Sequence, residues 1–261
     1  MKIIKKAIEI GNGAAVYVPR EYKGKEITLF LPEGIKEIKR RVLSKLIEFM
    51  PNILGVYLYG SYARNEQTEY SDVDLLIIVQ EKDDKIKAIF DDIDIRVITL
   101  ENIKKSIKNL PALILPILKE ARVFLNSLLL EELKQEKIDF RKFIWNFQDI
   151  VRIIKIIEEF IKIDDKDISP SHIYSLMMRA RILCMIEGLI KNKNFSNKIV
   201  KKTLLEHGLN EEIYEKYYSI YQKIRDNQDV EEKVTKEEIL NLIKIIKKSL
   251  KKIKNETNKK A

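Results

Sequence analysis

Two apolar runs constrain this chain more than any other feature. Ile53 to Tyr59 ends at Gly60, and Val73 to Val79 begins between Asp72 and Asp74. Short runs rich in branched and aromatic residues, bounded by turn chemistry, read as strands. The segment from Gly60 to Val79 is GSYARNEQTEYSDVDLLIIV, so Gly60-Ser61 is followed after ten residues by Asp72-Val73-Asp74. Asp72 and Asp74 are two apart on the strand, which points their side chains from one face. Two carboxylates on one face repel unless a divalent cation neutralises them. Hard oxygen ligands suit Mg²⁺, which takes one or two carboxylates plus phosphate oxygens. Gly60 lets the backbone approach a phosphate. Ser61 offers a hydroxyl and opens a short helix whose free N–H groups attract anions. A lone Asp-x-Asp reads more simply as strand capping. The complete pattern, with an apolar strand on each side, points instead to a metal–nucleotide site for phosphoryl or nucleotidyl transfer.

These residues resemble the signature of the minimal nucleotidyltransferases of the DNA polymerase β superfamily: a Gly-Ser turn, about ten residues, then Asp-x-Asp. The resemblance implies that Asp72 and Asp74 bind divalent metal and that Gly60 and Ser61 hold the triphosphate. It also places Arg64 where many members carry an arginine after the Gly-Ser turn, and so at the nucleotide. The family completes its metal site with a third carboxylate on a later strand, which activates the attacking hydroxyl. The segment Asp91 to Leu100 reads as that strand, with Asp92, Asp94 and Arg96 on one face and Ile93, Ile95 and Val97 on the other. Asp94 is the choice for the third catalytic and metal position. Counted back from the end of the strand, Arg96 lies nearer the usual place, and the two alternatives stay open here.

A chain of 261 residues accommodates two modest domains or one large one, and a hydrophobic content of 45% allows a sizeable core. The single cysteine, Cys184, excludes an internal disulfide, fits a reducing cytoplasm and sits in an apolar helical stretch. No apolar run reaches membrane-spanning length and no signal peptide is visible, so a cytoplasmic protein with no membrane partner is expected. A net charge of +9 favours a nucleotide or nucleic-acid partner, although the lysine-rich tail reads equally well as a solvated face.

The expected fold class is α+β in three segments. Residues 1–34 form a small β module: a strand in Ile3 to Ile10, a turn at Gly11-Asn12-Gly13, a strand from Ala14 to Val18, and a third from Ile27 to Leu31. The string GNGAAVYVPREYKGKEITLFLPEG resembles the AbrB-like swapped-hairpin modules. That resemblance implies a homodimer and DNA contacts through Lys5, Lys6, Arg20, Lys23 and Lys25. A β appendage without DNA binding is the equal alternative. Residues 35–127 form a mixed α/β nucleotidyltransferase domain, its sheet covered on one face by helices. Residues 128–261 read as an antiparallel helix bundle, with helices around Phe140 to Ile161, Pro170 to Lys191, Ile213 to Ile224, and one opened by the capping box Thr235-Lys236-Glu237-Glu238.

The bundle resembles the HEPN superfamily, many of whose members are metal-independent ribonucleases with an Arg four to six residues before a His. Neither His172 nor His207 has such an arginine, and Arg225 is followed by no histidine. That ribonuclease chemistry is therefore not expected. Minimal nucleotidyltransferases often act as antitoxins on a HEPN toxin, but here both patterns occur in one chain, which weakens a simple toxin–antitoxin assignment. The reading is a nucleotidyltransferase that moves a nucleoside monophosphate from ATP or another NTP to a hydroxyl of a protein, an RNA or a small molecule. The rival is a DNA-binding regulator that uses the same fold as a nucleotide sensor. Glu158 and Glu187, glutamates of the bundle, are not placed at the site by anything in the sequence.

Overall fold

The computed structural model describes residues 7–29, 33–68, 71–163 and 168–260. Two compact units result, Met1–Pro32 and Glu33–Ala261.

In the first unit, β1 (Ile8–Ile10) and β2 (Gly13–Ala15) pair antiparallel. Gly11 adopts φ 56°, which the turn between them requires. The second strand is shorter than Ala14 to Val18. The third strand does not form over residues 27–29, which take no regular structure. Phe30, Leu31, Lys5, Lys6 and the start of the first strand fall outside the described residues. Ile8, Ile10, Tyr17 and Leu29 are all exposed. A two-stranded ribbon has no second layer to bury them against.

The second unit is built on a four-stranded sheet of order β5-β4-β3-β6. Its strands are β3 (Ile53–Tyr59), β4 (Val73–Val79), β5 (Ile93–Thr99) and β6 (Arg122–Leu125). β3 runs antiparallel to β4 and β6, while β4 and β5 are parallel. Chain order inserts α1 (Ile35–Lys45) before β3 and α2 (Gly60–Arg64) after it. It places α3 (Lys85–Ala88) in the crossover from β4 to β5, and α4 (Leu100–Asn109) and α5 (Pro111–Glu120) between β5 and β6.

Both faces of the sheet are covered, which corrects the one-sided arrangement expected from sequence. On one face Val56, Leu58, Leu75, Ile77, Ile93 and Ile95 pack with Ile38, Val42 and Leu46 of the α1 segment. On the other, Tyr57, Leu76 and Ile78 pack with Ile103, Ile107, Leu115 and Leu118 of α4 and α5. Double coverage explains why β3 and β4 are almost uniformly apolar instead of alternating.

The second core continues without a break into the C-terminal helices. These are α6 (Ser127–Lys134), α7 (Ile144–Ile163), α8 (Ser171–Ile190), α9 (Asn197–Glu206), α10 (Glu211–Arg225) and α11 (Lys236–Asn258). The expected helix from Phe140 begins with a 3₁₀ turn, Phe140–Phe143, before α7. α8 runs through the middle, against α5, α7, α9, α10 and α11. Cys184 is buried there, and burial pushes its thiol up to about 11. The capping box at the start of α11 is present: Glu238 N–H donates to Thr235 Oγ1, and Thr235 N–H donates to Glu238 Oε2. No helix among the described residues is long and apolar enough to cross a membrane.

Candidate active site

β4 carries Asp74 into the centre of the candidate site. Asp74 is paired with Tyr59 across β3 on one side and with Asp94 across β5 on the other. Asp72 lies just ahead of β4 and is exposed, as is Asp94. Arg96 pairs with Leu76, two positions along the strand from Asp94. Asp94, not Arg96, is thus the lateral neighbour of Asp74. Asp92 leaves the group: its carboxylate accepts from Nη1 of Arg41, a residue of α1, at 2.6 Å.

Crowding shows in the protonation of Asp74. Its carboxyl is pushed up to about 6, first by burial and then by the negative charge of Asp94, with smaller contributions from Asp72 and Glu120. The Arg64 guanidinium opposes this. Burial, followed by the charge of Asp74, also lifts Tyr59 to about 12, so its phenol stays protonated at neutral pH.

Gly60 makes the junction of β3 and α2. Its φ is +75°, and a Cβ there would lie 1.9 Å from Asp74 Oδ2. Only glycine combines that backbone conformation with that approach. The short helix beyond it, opened at Gly60-Ser61 as expected, is pinned by Arg122 of β6, whose Nε donates to Ala63 O at 2.7 Å. Asn65, in the left-handed region at φ 55°, ends it.

The residue that completes this corner is Glu120, the last of α5. Gly60 N–H donates to Glu120 Oε1 at 2.8 Å, and Arg64 Nη1 donates to both Glu120 oxygens at 2.8 Å. Arg64 Nε donates to Glu66 Oε2 at 2.9 Å. Glu66 in turn accepts from the backbone N–H and side-chain amide of Asn197, at the start of α9. Arg64, expected at the nucleotide, lies between two carboxylates. Burial raises the Glu120 carboxyl against the pull of Arg64.

Glu120, Glu66, Asn197 and Tyr59 escaped the sequence reading. Glu66 lies inside the spacer between Gly60-Ser61 and Asp72, where no residue type is demanded. Glu120 and Asn197 belong to distant segments and carry no local pattern. Only the charge of Glu120 at the end of an apolar helix could have drawn attention.

The donor set fits a hard divalent cation. Asp72, Asp74 and Asp94 offer carboxylate oxygens alone, the donor type that a hard divalent cation takes. Among the described residues no three Asp, Glu, His or Cys side chains form a ready-made metal cage.

The bundle's candidate groups lie in other bonds. His207 caps α9, its Nδ1 2.7 Å from Thr203 O. His172 packs beside the Phe160 ring, and burial lowers its pKa. Arg225 pairs with Asp226. Glu187 pairs with Lys191 and Lys252, and Glu158 with Lys247.

Comparison with known proteins gives three findings. The family model described as the nucleotidyltransferase domain matches residues 35–182, more than half of the chain. Two proteins of Methanocaldococcus jannaschii, provisionally named protein adenylyltransferases, are similar. One is 42% identical over 53 residues, 20% of this chain and 53% of its own length. The other is 46% identical over 55 residues, 21% of this chain and 55% of its own length. The chain therefore spans about half the length of the curated relatives it matches. A spectinomycin adenyltransferase from Enterococcus faecialis, solved with ATP and spectinomycin, aligns at a TM-score of 0.44 and 17% identity, over 84% of this chain and all of that one.

Proposed function

Because the chain belongs to the nucleotidyltransferase domain family, we propose that it transfers a nucleoside monophosphate from a nucleoside triphosphate, ATP by preference, to a hydroxyl group. The carrying observation is the apposition of Asp74 to Asp94 on parallel strands, with Gly60 pressed against the Asp74 carboxylate. Asp72 and Asp74 would hold Mg²⁺, with Asp94 as third ligand or as base. When bound, the cation would neutralise charge on the carboxylates and phosphates. Gly60 N–H and Ser61 Oγ would hold the β- and γ-phosphates, and Arg64 adds a cation beside them. In the transfer, the acceptor oxygen bonds to the α-phosphorus as the bond to pyrophosphate breaks. The hydroxyl proton passes to the exposed Asp94 carboxylate. Such a site works by positioning and by fixed charge.

A protein hydroxyl is the favoured acceptor, in keeping with the names of the archaeal relatives. The C-terminal helices from residue 128 are read as a HEPN-like bundle that shares one core with the nucleotidyltransferase sheet and supports the site through Asn197 and Glu66. The N-terminal unit is read as an AbrB-like hairpin that pairs with a second copy, supported by the exposure of Ile8, Ile10 and Leu29.

The test is incubation with α-labelled ATP, Mg²⁺ and cell extract, comparing the wild type with the double variant Asp72→Asn, Asp74→Asn. Label on protein that disappears with the variant is the expected result. Label on RNA redirects the acceptor assignment. Wild-type affinity for MgATP in a folded double variant overturns the site. Salt-sensitive DNA binding without turnover favours the regulator.

A further inference from the structure

A carboxylate occupies the groups that a phosphate would need. Glu120 takes the Gly60 N–H at 2.8 Å and both of its oxygens lie 2.8 Å from Arg64 Nη1. Its side chain is 8% exposed. One backbone donor and one guanidinium converging on an oxyanion make an anion seat, and the anion in it belongs to the protein.

The seat is a poor one for Glu120 itself. As the last residue of α5, its carboxylate lies at the end of the helix where the backbone dipole is negative, which disfavours an anion. Asp74 and Glu66 add negative charge nearby. Burial also lifts the Glu120 carboxyl, and only Arg64 and the Gly60 N–H counter these costs. Arg64, by contrast, is anchored independently. Its Nε stays on Glu66, which is fixed by the backbone and amide of Asn197. If Glu120 swings away, Arg64 remains in place with Nη1 open.

We infer that Glu120 is an internal stand-in for a nucleotide phosphate, holding the Gly60 turn and Arg64 until the triphosphate displaces it. The inference rests on the reading that Gly60 and Ser61 seat the triphosphate. It makes Glu120 a positioning residue that limits nucleotide affinity, since each binding event must expel a carboxylate from the seat. A residue that merely buttressed the turn would, when altered, weaken binding.

Calorimetric titration of MgATP into the full chain distinguishes the two. Glu120→Gln removes the competing charge and should lower the Kd at least tenfold. Glu120→Asp keeps the charge on a side chain one methylene shorter, which withdraws it from the Gly60 N–H, and should also tighten binding. It serves as well if the glutamine variant fails to fold. Wild-type binding with both variants no tighter overturns the stand-in role and leaves the seat assignment intact. No MgATP binding by wild type or variants overturns both.

Discussion

The Asp74 carboxylate lies where the side chain of any residue but glycine at position 60 would be. An ideal Cβ on Gly60 would meet Asp74 Oδ2 at 1.9 Å and Cγ at 2.7 Å. The turn and the acidic strand are therefore one device. Gly60→Ala should displace the Asp74 side chain, the softer of the two partners, and strain a backbone held at φ +75°. Misplacement of about 1 Å at a reacting centre costs on the order of 10²-fold in rate. The expected outcome is a loss of nucleotidyl transfer of that order with a far-ultraviolet spectrum like wild type. Transfer within a few-fold of wild type would contradict the close approach.

Asp74 sets a local pH dependence of stability. Its carboxyl rises from 3.8 to about 6 on folding. Between these values the unfolded chain has already released the proton that the folded chain keeps. The folded state binds more protons there, so this group's contribution to stability falls as pH rises through about 4 to 6. Above 6 the buried charge is a constant penalty. In metal-free buffer, Asp74→Asn should be more stable relative to wild type at pH 7 than at pH 4. Urea unfolding of both proteins at the two pH values measures this, and an equal difference at both would refute it.

The bundle should not cut RNA without metal. Arg225 donates to Asp226 and His207 closes α9, so neither stands in an Arg–His pair. Incubation of the purified protein with a mixed RNA pool in EDTA should leave the RNA intact. Cleavage lost on Arg225→Ala or His207→Ala would reverse this reading.

The N-terminal unit should make the protein a homodimer. Its hairpin leaves Ile8 and Ile10 exposed, and Leu29 beyond it is exposed too. Two such ribbons facing each other would cover them and bring two sets of basic residues together. Light scattering should give a dimer for the full chain and a monomer after deletion of residues 1–34. DNA affinity, if dimeric contacts carry it, should fall steeply with salt. An unchanged mass after deletion would favour a simple appendage.

What the sequence determined by itself was local. The strands around Gly60 and Asp74 were legible because their apolar runs are bounded by turn chemistry. The start of α11 was legible because Thr235 and Glu238 recognise each other within one turn. The short helix after Gly60 and the strand from Ile93 also needed only neighbours in sequence. The third strand of the N-terminal unit failed to appear over residues 27–29 because propensity alone does not hold a strand without a partner edge. Tertiary structure alone decided that Asp94 lies beside Asp74, because register between parallel strands is set by packing on both faces of the sheet. It alone brought Glu120 to Gly60 and Asn197 to Glu66, across separations of 60 and 131 residues. A hydrogen bond between such distant segments leaves no periodicity in either, because its geometry exists only once the core between them has formed.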